Sequence, residues 1–410
     1  EGIPMDASQT SATAYLADCV AECAEDLARD PEISRVFLPD GHPLRAGRRV
    51  VNAACADTLE QVVRHGPSLL YDGELGAALA DDAARHGAWI DRADLTRYRT
   101  HDLAPLRFTY RGVELVGPPP PCSGPLHIGQ MLRLLEGFDV AGAGFGTAAG
   151  VHLIAEVLKI AFADRAAATA DPDYVPVPVD RLLSDAYAIE RRAAIDPGRA
   201  QAWRPGVAAD DGGAHTTHLT VADDDGHIVC ATQTINSLFG ARFIVPGTGL
   251  IPNNYLYVFD PHPGRANSLA PGKRVTSSMA PIIALRGGKP AFALGLPGGL
   301  RIFPSVLQAV LNLIDHGMSV QEAVEAPRVW TQGFGLELEP QFPPAVADAL
   351  TALGHDVQTV PNVAGGMCAI GFDDDGTMSG AACWRADGTP IGLGGGLARA
   401  GVRFLPEARR

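Results

Sequence analysis

Thr216 stands where the texture of the chain changes. Upstream, residues Pro197 to Ala214 are polar and glycine-rich, closing on Ala208-Ala209-Asp210-Asp211-Gly212-Gly213-Ala214-His215, which reads as a flexible surface segment. Downstream, Thr216-Thr217-His218-Leu219-Thr220-Val221 alternates with the two-residue period of a strand. Inside a chain a threonine hydroxyl is a weak nucleophile, and a half-buried strand threonine is the plain alternative reading. If the peptide bond between His215 and Thr216 were cut, Thr216 would carry a free α-amine with a reference pKa of about 7.7 to 8.0. Such an amine can take the proton from its own hydroxyl near neutral pH, the N-terminal threonine version of a base-activated nucleophile.

Two other segments could complete that chemistry. Leu294-Gly295-Leu296-Pro297-Gly298-Gly299-Leu300-Arg301 is a glycine turn running into an apolar helix from about Phe303 to His316. Backbone N–H groups in such a turn, aimed by the positive end of a helix, suit a developing oxyanion; a plain strand-to-helix turn is the alternative. The segment has neither a GxGxxG nor a lysine-bearing phosphate loop, so no nucleotide is implied. Arg274-Val275-Thr276-Ser277-Ser278-Met279-Ala280-Pro281 sets two adjacent hydroxyls between apolar stretches.

The elements that must position these residues follow from periodicity. Asp223-Asp224-Asp225-Gly226 turns the chain, and His227 to Asn236 returns as a second strand. A three-residue loop with a left-handed glycine sets Asp223 opposite His227. In that register Thr216 faces Thr234, about 4.5 to 5.5 Å away, with Asn236 on the same face; a one-residue slip would turn Thr234 away. A similar Asp373-Asp374-Asp375-Gly376 turn joins residues 367–372 to 377–383. Residues 107–116 read as a hairpin turning at Arg111-Gly112 and ending at the Pro118 to Pro121 run. Helices are expected over 11–66, broken by a turn at 38–43, over 71–99, and from about 126 to 135 and 148 to 167. Apolar positions such as Leu59, Val62 and Val63, then Leu75, Ala78, Leu79, Ala83 and Trp89, read as stripes facing a core. Glu322 and Glu325 read as charge covering a helix. We find no internal repeat.

With 33 Lys+Arg against 47 Asp+Glu among 410 residues, the formal net charge is −14, which argues against nucleic acid as a partner. A hydrophobic share of 46% with 20% charge is globular usage. The seven cysteines are scattered without a CxxC pair, so ordinary thiols are expected. The histidines, among them His127, His152, His215, His218 and His227, lack zinc spacing, and the Asp-rich turns lack the ligand pattern of a calcium loop. No metal and no organic cofactor is expected. No stretch approaches the roughly 20 apolar residues of a membrane span and no export signal is visible, which slightly favours the cytoplasm. The chain opens on Glu1 rather than Met, and we read it as a fragment of a longer protein.

Taken in order, several segments resemble the γ-glutamyltranspeptidase family of N-terminal nucleophile hydrolases. They are the Pro-Pro-Pro-Pro-Cys122-Ser123-Gly124 turn with His127, then Ala163-Asp164-Arg165 with Asp171-Pro172-Asp173-Tyr174, and Thr216-Thr217-His218. Thr234-Ile235-Asn236 with Phe239-Gly240, Gly249 through Asn253-Asn254, Lys273-Arg274 with Ser277-Ser278, Pro297-Gly298-Gly299 and Ala326-Pro327-Arg328 follow. The resemblance implies an α+β, four-layer αββα sandwich. It also implies autocleavage before Thr216 into a large fragment 1–215 and a small fragment 216–410 that remain associated as a heterodimer. By matching position, Thr216 would be the nucleophile and Thr234 would orient it. Gly298 and Gly299 would stabilise the oxyanion, and Asn236, Ser277 and Ser278 would contact the acyl part of a small-molecule amide or peptide. The reaction would be that of a glutathione hydrolase or γ-glutamyltransferase: acyl-enzyme formation, then hydrolysis or transfer to an amine.

The departures from the family pattern bear on the substrate. After Asn253-Asn254 the family carries a glutamine and, three residues on, an acidic residue that holds the α-amino group of a γ-glutamyl substrate; here these positions are Tyr255 and Val258. An ammonium without a partner is costly to desolvate, so glutathione-type substrates are disfavoured. The stretch Asp260 to Leu269 is shorter than the lid loop of many relatives, implying a more open pocket. The family's first portion, with an arginine for the substrate carboxylate, has no counterpart before Glu1. These departures motivate two alternatives: a relative cleaving an unusual acyl bond, even carbon–carbon, and a non-catalytic remnant that binds a partner.

Overall fold

The computed structural model describes residues 9–201, 203 and 214–393. The chain forms two compact units, one of Glu1–Asp102 with Ile235–Asn254 and the other of Leu103–Thr234 with Tyr255–Arg410.

In the smaller unit a short strand β1 (Gln9–Ser11) pairs antiparallel with β2 (Arg49–Val51). Helices α1 (Ala14–Leu27) and α2 (Pro31–Phe37) lie between them in sequence. Thr13 caps α1 by accepting from Leu16 N, and Asp30 caps α2 by accepting from Ile33 N ahead of Pro31. Cys19, Val20, Cys23 and Leu27 of α1 meet Ile33 and Val36 of α2 together with Leu238 and Ile244. The helices α3 (Ala53–His65), α4 (Ser68–Tyr71), α5 (Glu74–Arg85) and α6 (Arg92–Arg97) follow.

Three expectations fail in this unit. β2 interrupts the helical reading of 11–66. Leu59 and Val63 of α3, four apart and therefore on one face, are turned outward, Val63 being 86% exposed; the buried face carries Thr58, whose hydroxyl donates to Thr248 O at 2.8 Å. Trp89 is 73% exposed, because α5 ends at Arg85 and Gly87 turns the chain at φ 69° before the stripe can continue.

The larger unit is built on a six-stranded antiparallel sheet. Strands β3 (Leu106–Tyr110) and β4 (Val113–Gly117) form the expected hairpin, with Arg111 and Gly112 at φ 46° and 78° as a primed turn requires. Helices α7 (Gly124–Leu135), α8 (Val140–Ala143), α9 (Ala148–Ala168), α10 (Val179–Leu182) and α11 (Asp185–Arg192) come next. Then come the hairpin β5 (Ala214–Ala222) and β6 (Ile228–Ser237), and strands β7 (Ile282–Arg286) and β8 (Lys289–Gly295). The chain continues through α12 (Ile302–Ile314), α13 (Val320–Glu325), β9 (Val329–Trp330), β10 (Leu336–Leu338), α14 (Pro344–Ala352) and β11 (Val357–Thr359). Strands β12 (Cys368–Phe372) and β13 (Met378–Ala382) close the sheet, whose order is β13-β12-β8-β7-β4-β3. Strands β11, β10 and β9 form a smaller sheet of their own.

Side chains of the six-stranded sheet, such as Leu115, Ile282 and Leu294, share one core with Ile128, Met131 and Leu135 of α7, Leu158 and Phe162 of α9, and Phe303, Val306 and Val310 of α12. The β5–β6 hairpin packs on β8: the Cys230 thiol donates to Leu294 O at 3.3 Å, and a Cβ on Gly295 would lie 2.3 Å from the His218 ring. Helix α13 starts with a capping box between Ser319 and Glu322. Glu325 corrects its sequence reading: it is 2% exposed, so it belongs to the interior rather than to a charged cover. All seven cysteines are free, and among the described residues no helix is long and apolar enough to cross a membrane.

Candidate active site

The β5–β6 hairpin is pinned at its tip and along one face. Asp223 N donates to His227 O at 3.2 Å, and the Asp223 carboxylate accepts from the N–H groups of Asp225 and His227. Those bonds, the backbone N–H of His227 first, hold its carboxyl below the usual range. Further along, Thr220 Oγ1 meets Cys230 Sγ at 3.9 Å, and His218 Nδ1 meets Thr232 Oγ1 at 2.8 Å. These contacts follow the register expected from the three-residue loop; carried two residues further, it pairs Thr216 with Thr234. Thr216 is half-buried and, by the two-residue period, shares a face with His218. The His218 ring also meets Thr220 Oγ1 at 3.0 Å, and burial pushes its pKa down to about 4, so it is a neutral wedge between hairpin and β8.

Tyr255 opens a 3-10 turn, Tyr255–Val258, and its hydroxyl shares a hydrogen bond with Thr234. Burial, followed by the neighbouring Cys122, pushes the phenol up to about 12, so it stays neutral. Cys122 and Ser123 are brought there by the proline run. Ser277 N donates to Pro121 O, and Ser277 O accepts from both the backbone N and the hydroxyl of Ser123. The Cys122 thiol donates to Met279 O at 2.9 Å, and burial raises its pKa. Gly124 is required at this crossing, since a Cβ would lie 2.3 Å from Met279 O. Val258 is half-buried, with its carbonyl accepting from Asn267 Nδ2 at 2.8 Å.

Ser278 reaches the glycine turn directly, its hydroxyl donating to Gly299 O at 2.6 Å. Gly298 has φ 144° and Gly299 φ 56°, and a 3-10 turn over Gly299–Arg301 leads into α12. A Cβ on Gly298 would lie 2.6 Å from that of Ala364. Ala364 is held in turn by Arg328, which donates to the carbonyls of Val363 and Gly365, while Gly365 N donates to Pro297 O. The ion-paired Arg385 and Glu339 complete this buried support, and Glu339 accepts from Val363 N. Strand β5 packs against both β8 and the Gly299–Arg301 turn. Thr216, Thr234, Tyr255, Ser277, Ser278, Gly298 and Gly299 thus all belong to the larger unit, where contacts join Thr234 to Tyr255 and Ser278 to Gly299. Asn236 belongs to the smaller unit, at φ 75°, where its amide donates to Asn254 Oδ1 at 2.9 Å.

Sequence reasoning overlooked three partnerships. Arg274 grips Asp171, with Nη2 to Oδ1 at 2.6 Å, and also Asp173; burial works against the Asp171 carboxylate, but these bonds hold its pKa below the usual range. The Cys122 approach to Tyr255 and the Ala364 brace on Gly298 also join segments more than 60 residues apart, which no local pattern announces. Among the described residues, two groups of side chains have metal-ligand types in proximity. One, His152, Glu156 and His355, already encloses the Lys159 ammonium. The other, Asp223, Asp225 and His227, is the exposed hairpin tip.

The comparisons with known proteins extend this picture. The family model for γ-glutamyltranspeptidase matches residues 10–393. The acylase ACY 1 proenzyme of Pseudomonas sp. (strain SE83) is 59% identical over 96% of this chain and 70% of its own length. The glutathione hydrolase proenzyme of Escherichia coli (strain K12) is 36% identical over 89% and 66%. Among solved structures, the cephalosporin acylase from Bacillus halodurans superposes with a TM-score of 0.86 at 29% identity, over 95% of this chain and 72% of that one. The fold is the α+β, αββα sandwich of N-terminal nucleophile hydrolases; neither carbon–carbon cleavage nor a non-catalytic remnant is favoured by these relatives. The chain is an autoprocessing enzyme that hydrolyses amides or transfers their acyl groups, and it belongs to the γ-glutamyltranspeptidase family.

Proposed function

We propose that Thr216 is the nucleophile, freed by cleavage of the His215–Thr216 bond, and that the fragments 1–215 and 216–410 stay together as the working enzyme. Its α-amine takes the hydroxyl proton as Oγ attacks the amide carbonyl. The tetrahedral oxyanion is met by N–H groups of Gly298 and Gly299 in the strained turn before α12. Collapse breaks the C–N bond and the ammonium proton passes to the leaving amine. Water, or an acceptor amine, then attacks the Thr216 ester and releases the acyl group. Thr234 orients the nucleophile, while Ser277 and Ser278 contact the acyl portion.

The substrate we infer is an acyl amide lacking an α-ammonium, such as a cephalosporin acylated on its amine, in preference to a γ-glutamyl compound. The carrying observation is Tyr255: a neutral, largely desolvated phenol tied to Thr234 stands where the family holds an ammonium, and the half-buried Val258 follows it in place of an acid. Burying an unpaired ammonium there would cost several kcal/mol. The higher identity to an acylase than to a glutathione hydrolase supports this reading. The test pairs a γ-glutamyl anilide with its desamino analogue. At least tenfold higher kcat/KM is expected for the desamino compound, and faster γ-glutamyl turnover would reverse the assignment. Thr216→Ala should leave the chain whole and inactive; cleavage elsewhere in that variant would move the nucleophile.

A further inference from the structure

We propose that Cys383 is a buried thiolate, the counter-charge to Arg328, and that through Arg328 it positions the glycine turn of the site; the inference rests on Gly298 and Gly299 serving the oxyanion. Cys383 directly follows β13 and is 3% exposed, and Arg328 is 2% exposed. The Arg328 guanidinium donates to the carbonyls of Val363, Gly365 and Val324, at 3.3, 3.0 and 3.1 Å, and to Cys383 Sγ at 3.7 Å. Of those four acceptors only the sulfur can carry a negative charge. Glu339 cannot take its place. Its Oε1 accepts from Arg385 Nε and Val363 N, both at 2.7 Å, and its Oε2 accepts from Arg385 Nη2 and from Arg328 N at 2.9 Å, so the lone pairs of this carboxylate are committed. A buried guanidinium without an anion is costly, and the neighbouring sulfur supplies one.

The contacts of the sulfur point the same way. The thiols of Cys122 and Cys230 lie on carbonyl oxygens, Met279 O at 2.9 Å and Leu294 O at 3.3 Å, to which an S–H donates. Cys383 Sγ instead meets N–H donors, Met367 N at 3.2 Å and Arg328 Nη2. A thiolate accepts from both, whereas an S–H proton would be set among donors. Burial works against the charge, but Arg328, then Arg385, and the N–H groups of Arg385 and Met367 hold the thiol below its ordinary value. Arg328, pushed down to about 10 by burial and by Arg385, is still a cation at neutral pH. Cys368, another thiol beside this sulfur, goes the opposite way: burial raises it, and so does Cys383.

The charge acts by holding backbone. Ala364 stands at φ 61°, in the left-handed region that a residue with a side chain avoids, and its Cβ lies 2.6 Å from where a Cβ on Gly298 would be. Arg328 Nη1 holds the carbonyls on either side of Ala364, and Gly365 N ties the same loop to Pro297 O at 2.9 Å. With Nη2 anchored on a thiolate, the guanidinium is fixed in the orientation that grips both carbonyls; beside a neutral thiol it loses its anion and the grip loosens. Backbone N–H groups stabilise an oxyanion only when they are aimed, so a loosened turn lowers kcat rather than substrate binding. Cys383 and Arg328 are positioning residues that act through this turn.

The experiment compares, in the full chain, Cys383→Ser, which removes the charge at nearly the same size, with Cys383→Asp, which restores a charge. Acyl-amide turnover is expressed per cleaved chain, and the ultraviolet thiolate band is recorded against pH for the wild type and both variants. We expect kcat about tenfold lower in Cys383→Ser with KM within about twofold, and recovery to within about threefold of wild type in Cys383→Asp. The wild type should show a thiolate band near neutral pH that both variants lack. Wild-type kcat in Cys383→Ser overturns the proposal, as does a Cys383→Asp chain no more active than Cys383→Ser, or a wild-type spectrum without the band. If Cys383→Ser does not fold, Cys383→Asp decides alone: kcat near wild type supports the counter-charge, and a loss of about tenfold overturns it. The band is read without turnover, so an unchanged kcat in Gly298→Ala would overturn the oxyanion reading separately, with the thiolate still decided by its spectrum.

Discussion

Tyr255 and His218 shape the site at the scale of single residues. Tyr255→Phe keeps the bulk and removes the bond to Thr234, a loss of about 1 kcal/mol that should appear as a roughly fivefold lower kcat with unchanged thermal stability. The neutral histidines make a different prediction. His218 sits at about 4, and His127 and His355 at about 3, against an ordinary value of 6.5. As pH falls below 6.5 the unfolded chain takes up protons that the folded chain refuses. Stability is therefore full above about pH 6.5 and is lost on acidification by about 1.4 kcal/mol per pH unit for each such ring, until the folded pKa is reached. Denaturant unfolding between pH 7 and 4 measures the slope, and His218→Gln should remove one ring's share of it. Nothing in the spelling Thr-Thr-His marks the third residue as this wedge, because its burial depends on Gly295, far along the chain. The nucleophile candidate was legible for the opposite reason: it lies at a local change of pattern.

Among elements, the glycine turn and the Arg274 clamp carry most of the consequences. Gly298→Ala places a side chain at φ 144° and into Ala364, which should displace the turn and lower kcat by about a hundredfold. Adding Ala364→Gly should relieve the clash and recover only part of the loss, since the backbone strain persists; full recovery would show that sterics alone set the turn. Arg274→Met would leave the Asp171 carboxylate buried without its partner and should cost about 3 kcal/mol in denaturant unfolding. The hairpins β3–β4, β5–β6 and β12–β13 were readable because Arg-Gly and Asp-Asp-Asp-Gly impose their own turns. Helices α7, α9 and α12 were readable from apolar runs. The smaller unit was harder: helical spacing around Leu59, Val63 and Trp89 reports that a stripe exists, not which stripe is covered.

At the scale of the whole molecule, the compact units ignore the proposed cut. β3, β4, α7 and α9 lie before Thr216, whereas β7, β8, β12, β13 and α12 lie after it, and the ladder from Val113–Arg286 to Val116–Ile283 joins the two sides. The smaller unit is mixed as well, since Ile235–Asn254 packs with the first hundred residues. Mature fragments should therefore elute together on gel filtration at the mass of the intact chain and separate only in denaturant. Elution as two species would contradict a sheet shared across the break.

That shared sheet gives the molecule a history. Before the break, folding is a first-order event in one strand of polymer, with β4 tethered to β7 and their encounter independent of dilution. Afterwards the same ladder can be rebuilt only by a second-order meeting of two separate polypeptides, one holding two of the six strands and the other four, so recovery from heat or urea should worsen as the protein is diluted. Maturation converts a reversible fold into one that survives chiefly by not coming apart.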